Sequence, residues 1–121
     1  MASKEQNGTG DLDRDKVSRE FAEVVNMMPS ELAKWLKTSQ SKSVGFTHSG
    51  ANESVGHQSG RKIIAIKHKN KAQLTDADYA HMRSVVGYVH RHLAQGGPSE
   101  DEERSPWRYS LMNWGHDPDK T

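Results

Sequence analysis

The stretch from Leu74 to Gly97, LTDADYAHMRSVVGYVHRHLAQGG, constrains the fold more than any other part of the chain. Thr75 stands where a side-chain oxygen can accept from a free N–H in the first turn of a helix, and Asp78, three residues on, can return the bond as the acid of a capping box does. Leu74 and Tyr79 hold the staple positions around that cap, and a cap of this kind is worth about 1 kcal/mol. Tyr79, Met82, Val86, Val89 and Leu93 then recur at i, i+3, i+7, i+10 and i+14, one apolar stripe along a helix that Gly96 and Gly97 end.

The other apolar residues follow the same period. Val17, Phe21, Val24, Val25 and Met28 describe an amphipathic helix stopped by Pro29. Pro29 can open a second, short helix whose first turn holds Glu31 and whose stripe is Leu32, Trp35 and Leu36, and the two are expected to form a helical hairpin. Residues 38–53, TSQSKSVGFTHSGANE, are rich in Ser, Thr and Gly without a sustained period and read as a loop pinned by Val44 and Phe46. Near the C-terminus, Ser105, Pro106 and Gly115 punctuate a last helix with Trp107, Leu111 and Trp114 on one face. The expectation is an all-α, single-domain bundle of about five helices over residues 13–118, between a disordered tail at 1–12 and a short tail at 119–121.

The segment SVGHQSGRKIIAIKHKNK, residues 54–71, decides between a nucleotide site and a basic surface. A Walker A loop needs four residues between its glycines, followed by Lys and a hydroxyl residue. Here three residues separate Gly56 from Gly60, Arg61 follows, and Ile63 stands where the hydroxyl belongs, so the phosphate-loop reading fails. Placed on a helix, Val55, Gly56, Ser59, Gly60, Ile63 and Ile66 share one side and Ile64 its edge. Ser54, His57, Gln58, Arg61, Lys62, Ala65, His68 and Lys69 lie opposite.

Charge gives that polar side its meaning. The chain of 121 residues carries a net charge of only +1. Residues 61–92, however, hold seven bases against two acids, a net +5, while residues 1–31 and 93–121 each sum to −3. Clustered bases repel one another unless a polyanion or nearby carboxylates neutralise them, and the basic middle therefore suits an anionic partner. The hydrophobic fraction is 32% and mean hydropathy −0.94, so the core must be small. The absence of cysteine excludes disulfides, thiolate metal sites and a Cys nucleophile. No signal-peptide pattern is present, nor the roughly 18 apolar residues of a membrane span, and the expected location is intracellular, in the cytoplasm or with the nucleus or nucleoid.

Seven histidines raise the question of a metal. Two helical ligands need a separation of three or four residues. His81, His90 and His92 are nine and two apart, and His57 and His68 lie about 16 Å apart along a helix. The sequence assigns no metal ligand set, no cofactor and no catalytic residue, since no nucleophile elbow or readable triad occurs.

Three segments in this order, GHQSGRKI, LTDADYAHMRSVVGYVHRHLAQ and WRYSLMNWGHDP, resemble a small family of domains of unknown function found in bacteria and fungi, whose members are labelled DNA-binding proteins. The resemblance spans Phe21 to Pro118. It falls on Gly56, His57, Ser59, Gly60 and Arg61, on His90, Arg91, His92 and Leu93, and on Trp107 through Asp117. It implies nucleic-acid binding and carries over no catalytic residue.

The leading expectation is therefore a small nucleic-acid-binding protein, DNA first, gripping phosphates through His57, Arg61, Lys62, Lys67, His68, Lys69, Lys71, Arg91 and Arg108. A second reading is a protein-interaction module using Trp107, Tyr109 and Trp114. A third is a histidine- or metal-dependent enzyme around His57, His90 and His116.

Overall fold

The computed structural model describes residues 2–120, with side chains from residue 13 onward, so the tail expected over 1–12 lies outside the residues whose side chains are described. The described residues form six α-helices and no strand: α1 (Ala2–Val24), α2 (Pro29–Leu36), α3 (Ser39–Ser43), α4 (Val55–Lys67), α5 (Asp76–Gln95) and α6 (Pro106–Asn113). Single 3-10 turns stand at Lys71–Gln73 and Glu102–Arg104. The all-helical expectation holds.

α3, α4, α5 and α6 each start where a side chain accepts from a free N–H of the first turn. Thr75 Oγ1 accepts from Asp78 N at 3.1 Å and Asp78 Oδ2 from Thr75 N at 2.9 Å, closing the capping box on α5. Ser54 caps α4 by accepting from His57 N at 3.0 Å, and Ser105 caps α6 by accepting from Arg108 N at 3.1 Å. The stretch expected as a loop contains α3, because Thr38 Oγ1 accepts from Ser41 N at 3.1 Å while its hydroxyl donates to Trp35 O at 2.7 Å. One polar residue thus ends α2 and starts α3.

The expected α1–α2 hairpin does not form: α1 lies along α5, and α2 packs on α4. α1 stops at Val24, four residues before Met28, and the chain turns there with Met27 N donating to Gly115 O at 3.2 Å. Met27 is consequently buried and Met28, expected on the apolar stripe, is 65% exposed. Tyr79, Met82, Val86 and Val89 are buried as the stripe requires, but Leu93, near the end of α5, is partly open. Val85, outside that stripe, is fully buried because α5 is covered on more than one side, by α1, α4 and α6. Beyond Pro118 the chain returns to α2, where Lys120 Nζ pairs with Glu31 at 2.5 Å.

α4 approaches its neighbours closely at Gly60. A Cβ there would lie 2.7 Å from Leu36 Cδ2 and 2.8 Å from the Asn113 backbone oxygen. The leucine side chain can shift, but a backbone carbonyl at the end of α6 moves only with its helix. Alanine at this position would gain about 1 kcal/mol of helix propensity against an overpacking cost of about 1–3 kcal/mol. Gly60→Ala is expected to lower the unfolding free energy by up to about 2 kcal/mol, read as a lower urea midpoint at unchanged slope; a midpoint above the parent's would show that α4 has room to move.

Candidate functional site

The nine residues nominated as phosphate contacts separate into three groups. Arg61, Lys69, Lys71 and Arg108 already face carboxylates: Arg61 binds Glu53 through Nε at 2.8 Å and a terminal nitrogen at 2.5 Å, Lys69 meets Asp78 at 2.7 Å, and Lys71 meets Asp15 at 3.3 Å. Arg108 turns inward, holding both Asp117 oxygens at 3.2 and 3.1 Å and Asp119 at 3.0 Å, with its side chain only 20% exposed. His57 and His68 use ring nitrogens on the protein itself, His68 Nδ1 lying 2.8 Å from Ile64 O. Lys62, Lys67 and Arg91 have no carboxylate partner among the described residues, and the same is true of Arg83 on α5. Lys67 lies over the Phe21 ring at 5.0 Å, where burial pushes its ammonium pKa down.

Glu53 organises the start of α4. Its carboxylate takes both bonds from Arg61 and also meets His57 Nδ1, while His57 Nε2 lies 2.7 Å from Leu36 O. Hydrogen bonds from Arg61, opposed by partial burial and aided by His57, hold the Glu53 carboxyl at about 2. The cluster thereby ties the end of the 45–53 loop to α4 and α2.

A second arrangement runs along α5. His81, Tyr88 and His92 stand at i, i+7 and i+11, and Trp114, just after α6, inserts its ring between the first two. Its centroid lies 6.2 Å from His81 and 4.2 Å from Tyr88, with planes within 15°. Residues seven apart on a helix are separated by about 10.5 Å along its axis, which leaves room for one inserted ring. Tyr88 stacks on His92 at 5.2 Å, and His92 on Trp107 at 6.0 Å. Reciprocal bonds close this end: Trp107 Nε1 donates to His92 O at 3.0 Å, and His92 Nε2 lies 3.2 Å from Trp107 O. At the other end His81 Nε2 lies 2.9 Å from Ser59 Oγ. Five rings therefore bind α6 and its flanks to α5. Trp107 and Trp114, contact residues only in the protein-interaction reading, serve this stack, and Tyr109 packs against Trp35 at 5.4 Å.

Residues 20–112 match a family described as "Protein of unknown function (DUF3140)". The chain belongs to this family. Comparison with curated proteins and with solved structures gives no match. Four of the five stacked rings fall within the stretch that matches the DUF3140 domain, and Trp114 lies two residues beyond it.

Two depressions accompany these clusters in the DUF3140 chain. A shallow groove of about 480 Å³ between α4 and α5 is lined by Lys62, Ile66, Ala77, Asp78, Ala80, His81 and Ser84. A cleft of about 350 Å³ lies where Phe46 and His48 face Tyr88 and Trp114. Sequence spacing alone does not reveal Phe46 and His48 as cleft residues. The seven- and four-residue recurrence of His81, Tyr88 and His92 is the signal that would have found the stack. His116 Nδ1 lies 2.7 Å from Val24 O, whereas His90 is exposed on α5 and His57 is engaged by Glu53, so these three histidines use separate surroundings. Among the described residues no group of three His, Asp or Glu side chains is placed to hold a metal ion, and no helix is long and apolar enough to cross a membrane.

The Glu53 cluster has a defined pH signature. Its folded pKa lies below the ordinary 4.5, so its stabilising contribution is complete above that value and is lost as pH falls toward about 2. The parent should be more stable than Glu53→Gln by a constant margin above about pH 5, with the margin closing on acidification. Urea midpoints measured from pH 7 to pH 3 test this; a margin that persists undiminished to the lowest pH would contradict it.

Proposed function

We propose that this DUF3140 protein binds nucleic acid, with duplex DNA as the leading polymer, through the groove between α4 and α5 and the exposed cations beside it. The observation that carries this reading is the combination of a groove lined by the small residues Ala77, Ala80 and Ser84, with Lys62 at its side, and cations on the same two helices that no described carboxylate neutralises. Small side chains let a sugar-phosphate backbone approach, and lysine and arginine release counterions from it. The family resemblance of the sequence points the same way.

The contact set is narrower than the sequence suggests. Lys62, which lines the groove, forms its centre, and Lys67, Arg83 and Arg91 are the other cations of these two helices that no described carboxylate neutralises. Arg61, Lys69 and Lys71 stand at its margin, since exposed pairs of the kind they make are worth about 0–1 kcal/mol and a phosphate can replace the carboxylate. Arg108 is excluded by its inward pairing with Asp117 and Asp119.

With about four phosphate contacts, log affinity for duplex DNA is expected to fall against log salt with a slope near −3.6. Lys62→Glu combined with Arg83→Glu removes about half of that slope and weakens binding at every salt concentration. Fluorescence anisotropy with labelled duplex, single-stranded DNA and RNA measures both. Absence of binding to all three at low salt, or unchanged binding by the folded double variant, would overturn the proposal.

A further inference from the structure

The cleft beside Trp114 is separate from the α4–α5 groove and has a chemistry of its own. Of the three tryptophans, Trp35 donates its indole N–H to Asn113 Oδ1 at 2.7 Å and Trp107 donates to His92 O at 3.0 Å. Trp114 Nε1 meets no acceptor among the described residues. Since no described side-chain nitrogen or oxygen is both fully buried and unpartnered, this N–H keeps some access to solvent although the tryptophan itself is buried. Its outlet is marked by Gly56: a Cβ on that glycine would sit 3.0 Å from Trp114 Nε1, and both residues line the cleft. The missing side chain therefore leaves an unused donor reachable from outside.

Three further features restrict what the donor can meet. No Lys, Arg, Asp or Glu lines the cleft; besides Tyr88 its one titratable side chain is His48, edge-on to Phe46 at 4.9 Å, so a permanently charged ligand would be desolvated there with little compensation. Tyr88 and Trp114 are already stacked in the ladder with His92 and His81, which leaves their ring edges for a newcomer. Ring edges carry positive partial charge and favour electronegative atoms on the newcomer's own edge. Phe46, 67% exposed on the opposite rim, supplies a second aromatic surface. At about 350 Å³ the cleft is at the small end of ligand sites.

The geometry points to a binding site for one neutral, flat heteroaromatic ring system of nucleobase size, seated between Phe46 and the Tyr88–Trp114 edges with an acceptor atom on the Trp114 indole N–H. The ring can belong to a free small molecule or to a base unstacked from a single strand. Neither source rests on the groove reading, because a free base tests the cleft alone and duplex DNA tests the groove.

The three indole N–H signals of the full chain in a ¹H–¹⁵N spectrum separate the possibilities. Adenine, neutral and rich in acceptors, is expected to move the Trp114 signal saturably and leave those of Trp35 and Trp107 nearly still. Indole, flat but without a ring acceptor, should move it much less. Gly56→Ala places a methyl group over the donor at a helix position that favours alanine, and is expected to weaken adenine binding by about tenfold or more. Phe46→Ala changes an exposed residue and keeps the test valid if the glycine variant fails to fold; it should weaken binding several-fold. A single strand of about ten deoxyadenosines, at salt high enough to suppress phosphate contacts, gives the second arm. Binding of the strand well above that of adenine identifies a polymer base, and equal or stronger binding of adenine identifies a free ligand. If neither moves the Trp114 signal at millimolar concentration, or if Gly56→Ala and Phe46→Ala both leave the shift unchanged, the site does not exist as described.

Discussion

Asn113, buried to 1% exposure, joins three helices through one amide. Its Oδ1 accepts from Trp35 Nε1 at 2.7 Å and from Ser41 Oγ at 2.5 Å, while Nδ2 donates to Ser41 O at 3.0 Å. A buried polar group left without its partners costs about 1–3 kcal/mol, so α2, α3 and α6 cannot slide relative to one another without breaking several such bonds together. The next residue is Trp114. Fixing Asn113 thus fixes the point from which the indole enters between His81 and Tyr88, and with it the register of α6 against α5. Gly60 completes the arrangement by letting α4 approach the Asn113 carbonyl.

What the sequence made legible was what is decided locally. The capping box at Thr75, the serine caps of α4 and α6, and the division of α4 into an apolar and a basic side all depend on residues within a turn or two of each other. The pairing of helices depends on distant residues. A short connection between α1 and α2 suggested a hairpin, yet Val25 and Met27 are buried in the common core and send the two helices to different partners. α3 was hidden for another reason: its sequence, SQSKS, has no apolar stripe, and it is held by the Thr38 cap and the Ser41–Asn113 bonds.

The electrostatic reading failed to resolve the site for the same reason. Counting charge along the chain finds a basic middle and acidic ends, but folding brings those ends back. Asp15 from the acidic N-terminal end meets Lys71 of the basic middle, whereas Asp117 and Asp119 hold Arg108 within their own end. Glu53, the only acid in residues 32–60, takes Arg61 and His57 together. The regional excess of positive charge is therefore partly cancelled within the molecule, and what remains is set by three-dimensional pairing.

α5 divides the two candidate surfaces between its sides. Ala77, Ala80 and Ser84 face the groove, Tyr88 faces the cleft, and His81 belongs to both, lining the groove while its ring stacks on Trp114. Burial, reinforced by nearby Lys62, pushes the His81 pKa down and favours the neutral imidazole. A neutral ring can stack in the ladder without carrying charge into it, so positive charge at the groove comes from lysine and arginine side chains that retain access to water. The aromatic ladder consequently sets where the groove's walls stand, while the groove's attraction for anions is supplied by residues the ladder does not contain.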